Sequence, residues 1–180
     1  MIGTFIQKNM KRILLAVLIL AILGTLIFIF SNSVKSKEQS SDQSSEFAES
    51  IKPIVDPSDK IPFNIFEHHV RKLAHFSEFC LLGFELLLLL ALLCNGYKNI
   101  TLLKYTSTMF LALTAALIDE TIQIFSDRGS AVVDVWIDFS GAITGSAFGF
   151  LILILFSFIS SKKKNKDLKG KKISKKSIKD

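Results

Sequence analysis

The chain has 180 residues, roughly the length of one domain, and a formal net charge of +6. Its residues are 49% hydrophobic, its mean hydropathy is +0.43, and the apolar residues form long runs instead of recurring at a helical period. Such runs indicate helices that cross a lipid bilayer, and they argue against a water-soluble globular domain.

The first predicted span, residues 13–30, has the sequence ILLAVLILAILGTLIFIF and contains no charged residue. A membrane-spanning helix needs about 20 mainly apolar residues. Lys8, Lys11 and Arg12 precede this run, and in a signal peptide basic residues likewise precede the apolar core. The run is longer than the usual apolar core of about 7–15 residues, however, and no convincing A-x-A cleavage motif follows it. We therefore predict an anchor that is not cleaved.

Residues 31–72 are predicted to form an external loop. Ser, Lys, Glu and Gln dominate its first half, which is typical of a flexible segment. Four apolar residues then recur at helical spacing: Phe47, Ile51, Ile54 and Val55. This spacing favours a short helix in the membrane interface over a plain linker. Three prolines are expected to interrupt any longer helix: Pro53, Pro57 and Pro62.

Three further spans are predicted at residues 73–93, 105–125 and 135–159, and each of them contains ionisable groups. A charged side chain at the centre of a membrane helix costs roughly 2.5–3.5 kcal/mol. Each such group must therefore be satisfied by a partner or serve a function. The sequence thus predicts an all-α membrane protein with four transmembrane helices.

The distribution of lysine and arginine predicts the orientation. In a four-span arrangement, 15 of the 22 lysines and arginines lie on the same side of the membrane as the two termini, and seven lie on the other side. Because positive loops stay in the cytoplasm, both termini are predicted to be cytoplasmic. Residues 1–12 then form a basic N-terminus, 13–160 the membrane domain and 161–180 a Lys-rich tail. That tail supplies the net charge and is expected to touch anionic lipid headgroups, so the charge is not evidence for nucleic-acid binding.

This topology brings the polar ends of three helices to one level under the outer leaflet. Ten side chains are predicted to line a pocket there: Arg71, Lys72, His75, Glu78, Asp119, Glu120, Gln123, Arg128, Asp134 and Asp138. Residues three and four apart share a helix face. Arg71, His75, Glu78 and Glu85 therefore form one stripe. On the last helix, Asp138 continues into a face of small residues that permits close helix packing: Gly141, Gly145 and Gly149.

Two interpretations of these polar residues remain open. They could pair off as interhelical contacts worth around 0.6 kcal/mol each, with Arg71 or Lys72 bound to Glu78 and Arg128 bound to Asp134 or Asp119. Counting Glu85, however, the set holds six acids and at most three nearby bases. Complete pairing is then impossible, which favours a water-filled pocket that opens to the outside.

Two runs of sequence resemble the VanZ-like family of small bacterial membrane proteins: RKLAHFSEFCLLGFE and ALIDETIQIFSDRGSAVVDVWIDFSGAITG. The family pattern is a basic residue with Lys-x-x-His-x-x-Glu, then Asp-Glu-x-x-Gln with an arginine-containing turn, then Asp-Val and a later Asp or Asn before Gly. The resemblance covers about residues 64–150. It implies a multi-pass protein of the bacterial cell membrane whose founding relative lowers sensitivity to the glycopeptide teicoplanin. It does not imply a reaction, because none is established for the family.

Three functions are compatible with these residues. The first is a binding or resistance protein whose pocket, rimmed by Arg71, Lys72 and Arg128, holds the phosphate of a membrane lipid or lipid-linked cell-wall precursor. The second is a membrane enzyme acting on a lipid-linked phosphate or glycan. Its acid–base or metal-binding groups would be His75, Glu78, Asp119 and Glu120, or Asp119, Glu120 and Asp138 around a divalent cation. No cofactor is required by the sequence, and the zinc signal is weak because no close H-x-x-x-H motif or cysteine pair is present.

The third function is a proton-coupled carrier with Glu85 as a relay. It is disfavoured, because neither broken helices nor an inverted repeat is visible in the sequence.

Overall fold

The computed structural model describes residues 2–94, 101–129 and 131–176. Within these ranges the protein is all-α and has no strand. Its five helices are α1 (Ile2–Ser33), α2 (Lys37–Val55), α3 (Phe63–Leu93), α4 (Thr101–Phe125) and α5 (Val132–Lys176). Of these described helices, α1, α3, α4 and α5 are long and apolar enough to cross a membrane. The predicted class, all-α with four transmembrane helices, is confirmed.

The segments that could cross a membrane are longer than the four runs predicted from hydropathy. They are Asn9–Ser33, Phe63–Leu93, Leu102–Phe125 and Val132–Lys162. The largest difference is in α3, which begins at Phe63 and not near residue 73. Pro62 caps this helix, and its fixed φ suits a helix start. Hydropathy misses the first turns because Glu67, His68, His69, Arg71 and Lys72 are polar.

The predicted loop 31–72 contains a complete helix, α2, in addition to the first turns of α3. Its Ser-rich first half is helical and not the flexible segment that its composition suggests. A capping box explains the start: the Gln39 amide donates to Ser36 Oγ at 3.3 Å, and the Ser36 amide donates to Gln39 Oε1 at 3.2 Å. Pro53 lies inside the helix, close to its end, and does not interrupt it.

Helix α2 packs against the beginning of α3. Ala48 is fully buried, and Ser44 Oγ donates a hydrogen bond to Glu67 Oε1 at 2.6 Å. Phe47 and Ile54 remain 57% and 80% exposed. These exposed apolar side chains fit the predicted position in the membrane interface, which stays a prediction.

Helices α3 and α5 make the closest approach in the bundle. Gly141 lies against the backbone carbonyl oxygen of Phe76, and Gly145 lies against that of Cys80. Gly83, on α3, lies in the same way against Ala142. The absence of side chains at these three glycines lets the two backbones touch. The small-residue face predicted for the last helix is therefore the face that packs on α3.

The apolar core lies between α1, α3, α4 and α5. Phe79 and Ile29 are completely buried, and Leu82 is 1% exposed. The outward faces are also apolar: Leu20 and Ile27 of α1 are each 68% exposed. Large exposed apolar faces on long helices are what contact with lipid requires.

Candidate functional site

Three helices bring one polar side chain each to a common point inside the bundle. His75 comes from α3, Asp119 from α4 and Asp138 from α5. His75 Nδ1 lies 3.9 Å from Asp119 Oδ2 and 3.9 Å from Asp138 Oδ1. Asp119 is fully buried and Asp138 is 1% exposed. The contact of Gly141 with Phe76, the neighbour of His75, explains how the short side chain of Asp138 reaches the imidazole.

Neutral donors hold the Asp119 carboxylate in place. Gln123 Nε2 donates to Asp119 Oδ2 at 2.9 Å, so the predicted i, i+4 pair is in direct contact. Ser33, the last residue of α1, donates its hydroxyl hydrogen to the other oxygen, Asp119 Oδ1. A fourth helix thus fixes the carboxylate without neutralising its charge.

Asp138 lacks such support. Neither of its carboxylate oxygens has a hydrogen-bond partner among the described residues, and the same is true of His75 Nδ1. Buried polar atoms are nearly always paired, and an unpaired buried carboxylate is especially unfavourable. Asp138 and His75 are therefore the most conspicuous unsatisfied polar groups of the cluster.

Two adjoining cavities lie beside this cluster. The first, called here the α3–α5 cavity, has a volume of about 80 Å³. It is lined by Lys37, His68, Arg71, Lys72, His75, Gln123, Arg128, Gly129, Asp134, Ile137 and Asp138. The volume is enough for several water molecules.

The second, called the α1–α3 cavity, has a volume of about 260 Å³. It is lined by Phe28, Asn32, Lys35, Ser40, Gln43, Ser44, Phe47, Val70, Arg71, Ala74, His75, Glu78 and Arg128. Arg71, His75 and Arg128 line both cavities, so these three side chains form their common wall.

The ion pairs differ from those considered in the sequence. Lys72 pairs with Asp134, joining the beginning of α3 to the beginning of α5. Arg71 Nη2 contacts His68 Nδ1 at 3.3 Å, and Arg128 Nη1 donates to the Asn32 carbonyl oxygen at 2.7 Å. Neither arginine forms an ion pair within the described part of the chain. The considered pairing of Arg128 with Asp134 or Asp119 is thus absent there.

Glu78 and Glu120 also bind neutral donors. Glu78 Oε1 accepts a hydrogen bond from Asn32 Nδ2 at 3.2 Å. Glu120 Oε1 accepts one from the backbone amide of Ala131 at 2.6 Å, just before α5 begins. A carboxylate at the start of a helix is favourable. Glu120 therefore fixes the α4–α5 turn.

The ten predicted pocket residues divide into three groups. Those lining the α3–α5 cavity are Arg71, Lys72, His75, Gln123, Arg128, Asp134 and Asp138. Glu78 lines the α1–α3 cavity. Asp119 lies next to His75 behind the cavity wall, and Glu120 contacts the turn that leads into α5. Their participation in binding stays a prediction.

Sequence reasoning missed the contributions of α1 and of the segment after it. Asn32 and Ser33 bind Glu78 and Asp119, while Lys35 and Lys37 line the cavities. One signal was available: three polar residues, Ser31, Asn32 and Ser33, follow directly after the apolar run 13–30. In the predicted topology this run ends at the same membrane level as the other polar groups.

Taken together, four long apolar helices around a buried polar cluster define a multi-pass helical membrane protein. The sequence model of the VanZ/LLP1 family matches residues 14–164. The chain therefore belongs to the VanZ-like family, as the resemblance in the two polar runs predicted. Comparisons with curated proteins and with solved structures gave no significant match.

Proposed function

We propose that this VanZ-like protein binds the phosphate group of a membrane lipid or lipid-linked cell-wall precursor in the α1–α3 and α3–α5 cavities. The observation that carries the proposal is the set of basic side chains around the two cavities. Lys35, Arg71 and Arg128 line them without forming an ion pair to any described acid. Cations that the protein leaves unneutralised attract an anionic ligand.

The chemistry of these cations suits phosphate. Arginine presents a planar fork of N–H donors that matches two phosphate oxygens at once. Partial burial lowers the pKa of Arg128 from its ordinary value, but a guanidinium stays charged at neutral pH. Lys35 Nζ is bound to two neutral amide oxygens, Asn32 Oδ1 at 2.9 Å and Gln43 Oε1 at 2.7 Å. Its charge is thus available to a ligand.

The same cavity also offers a surface for a hydrocarbon chain. Phe28 and Phe47 line the α1–α3 cavity beside Lys35 and Arg71, and both aromatic side chains are 57% exposed. Basic and apolar groups in one cavity match an amphiphile whose headgroup is anionic. A small soluble anion would not use the aromatic side chains.

The proposed biological role follows from the predicted orientation and the family. Lysine and arginine counts predict that the cavities open on the external side of the membrane. On the outside of a bacterial cell membrane, glycopeptide antibiotics meet lipid-linked precursors. Binding such a precursor would contribute to resistance against a teicoplanin-type drug, the property that the resemblance implies. This role is supported by family membership and by the cationic cavities.

A binding experiment tests the molecular part of the proposal. Purified protein in detergent is titrated with a polyprenyl phosphate, and the uncharged polyprenol of the same length is the ligand control. Arg71→Gln should weaken binding of the phosphate at least about tenfold, which corresponds to ~1.4 kcal/mol. Arg12→Gln is the control variant. It makes the same chemical change near the beginning of α1, whereas the cavities lie at the end of this helix, and it should leave the affinity unchanged. Equal affinity for both lipids, or no effect of Arg71→Gln, would contradict the proposal.

A second experiment tests the role in cells. A susceptible bacterium expressing the protein should tolerate more teicoplanin than one carrying an empty vector, and Arg71→Gln should remove that difference at equal protein level. If the phosphate binds but tolerance does not change, lipid binding stands and the resistance role is wrong.

A further inference from the structure

The three side chains that meet at the centre of the bundle carry the donor atoms of a metal site. One ligand atom each from His75, Asp119 and Asp138 can be chosen so that all three lie within 4.8 Å of one another. The three residues belong to three different helices. A bound ion at their centre would therefore connect α3, α4 and α5.

A second, independent observation points to a ligand at the same place. Asp138 is 1% exposed, and both of its carboxylate oxygens lack a hydrogen-bond partner among the residues described. Donors of the same cluster and cavity bind other groups: Gln123 and Ser33 both bind Asp119, and Lys72 binds Asp134. Because an unpaired buried carboxylate is costly, something outside the described side chains is expected to meet Asp138.

We infer that His75, Asp119 and Asp138 bind one divalent transition-metal ion of the Zn²⁺ type. A neutral imidazole and two carboxylates carry two negative charges, so a dication makes the buried cluster neutral. Mixed nitrogen and oxygen donors suit Zn²⁺, whereas Mg²⁺ prefers oxygen ligands and keeps several waters. This inference does not depend on phosphate binding.

The neighbours of the cluster have the arrangement that metal sites need. Gln123 and Ser33 orient the Asp119 carboxylate, as hydrogen-bonding groups around a metal site orient its ligands. His75, Gln123 and Asp138 also line the α3–α5 cavity. A three-ligand site thus keeps one coordination position that faces water in this cavity, which is the pattern of open zinc sites.

The test uses the full-length protein purified in detergent without an affinity tag. The protein is stripped with a chelator and titrated with Zn²⁺, and the bound metal is measured by mass spectrometry of the elements. One Zn²⁺ per chain is expected. Co²⁺ in its place should give visible absorption bands of a four-coordinate site, and added Zn²⁺ should remove them.

Two variants locate the site. Asp138→Asn keeps the shape of the side chain but removes its charge, and it should weaken Zn²⁺ binding at least tenfold. Glu85→Gln is the matched control, because Glu85 is another buried acid of the spans, with one oxygen that has no hydrogen-bond partner in the described part of the chain. It lies beside Gly24 and Thr25 at a separate cavity, so its replacement should leave Zn²⁺ affinity unchanged.

The results separate this inference from the lipid proposal. Folded wild-type protein that binds no stoichiometric Zn²⁺ and gives no Co²⁺ bands would overturn the metal site, even if a variant does not fold. Unchanged binding in Asp138→Asn, or equal loss in Glu85→Gln, would also overturn it. Binding of polyprenyl phosphate is measured separately on the chelator-treated protein. The metal site and the lipid binding can therefore each be refuted without the other.

Discussion

Gly145 of α5 lies directly against the backbone carbonyl oxygen of Cys80 in α3, so that a methyl group at position 145 would overlap this oxygen. The obstacle is backbone and not the end of a flexible side chain. The two helices would have to separate to accommodate even alanine. Their separation would also pull Asp138 away from His75, because these residues lie on the same two helices.

Gly145→Ala is therefore expected to destabilise the protein by about 3 kcal/mol, the upper end of the usual cost of overpacking. Thermal unfolding in detergent measures the effect. Gly24→Ala is the control, because a Cβ at that position in α1 would meet no described atom within 4 Å apart from its chain neighbours and the adjacent backbone of its own helix. It should change stability by no more than the ~1 kcal/mol by which alanine and glycine differ in helix propensity. Equal effects of the two substitutions would contradict the packing described here.

The junction of α1 with the polar cluster gives a second prediction. The Ser33 hydroxyl binds the buried Asp119 carboxylate, and its removal leaves a buried acceptor short of one donor. Ser33→Ala should lower the free energy of unfolding by about 1–3 kcal/mol. Ser31→Ala is the matched control, since the exposed Ser31 hydroxyl binds, among the described residues, only the carbonyl oxygen of Phe28 in its own helix. A loss in Ser31→Ala as large as in Ser33→Ala would show that the effect belongs to the helix and not to Asp119.

A third prediction concerns pH and the segment that follows α2. Asp56 accepts hydrogen bonds from the backbone amides of Ile61 at 2.8 Å and Lys60 at 3.1 Å. These bonds, that of Ile61 above all, lower the pKa of Asp56 from its ordinary value of 3.8. The folded state then binds the proton less tightly than the unfolded state. The stabilisation is complete above pH 3.8 and is lost as the pH falls through the lower pKa of the folded protein.

The amide resonance of Ile61 reports on this titration. In isotope-labelled protein in micelles, its chemical shift should change with a midpoint below 3.8, and the change should disappear in Asp56→Asn. Asp59, which accepts neither bond, provides the comparison through Asp59→Asn, in which the Ile61 titration should persist. A midpoint at or above 3.8 would mean that the two amides do not bind the carboxylate in solution.

The elements that hydropathy predicts correctly are those whose signal is local. The run 13–30 contains no charged residue, and glycines at 141 and 145 recur at a helical spacing. The run lies within the longer segment Asn9–Ser33 of α1, and both glycines pack against α3. Hydropathy did not predict the early start of α3 or the first half of α2, because both segments are polar. In α2, capping by Ser36 and packing of Ala48 outweigh this polar composition.

The sequence predicted which residues form the candidate site, but it did not predict which of their side chains bind one another. Depth along each helix placed His75, Asp119 and Asp138 at one level, and the structure brings them together. Which acid binds Lys72 depends on the rotation of α3 and α5 about their axes, and one sequence does not fix this rotation. For the same reason Ser33 was overlooked: only the packing of α1 against α4 shows that it reaches Asp119.

The fourth prediction is the orientation of the bundle in the membrane. More of the lysines and arginines lie on the side of the termini, so the other side, including α2, is expected to face outward. A cysteine introduced at the exposed position Glu49 should then react in intact cells with a thiol reagent that does not cross membranes. A cysteine at the exposed position Lys162 should react only after the cells are opened.

Native thiols must not obscure this result, so both substitutions are made after Cys80 and Cys94 are changed to alanine. Labelling of the Lys162→Cys protein in intact cells, together with protection of Glu49→Cys, would reverse the topology. The cationic cavities would then face the cytoplasm, where an external glycopeptide does not reach, and the resistance role would be lost. Phosphate binding by Arg71 and Arg128 would remain possible, because it depends on the cavities and not on the side of the membrane to which they open.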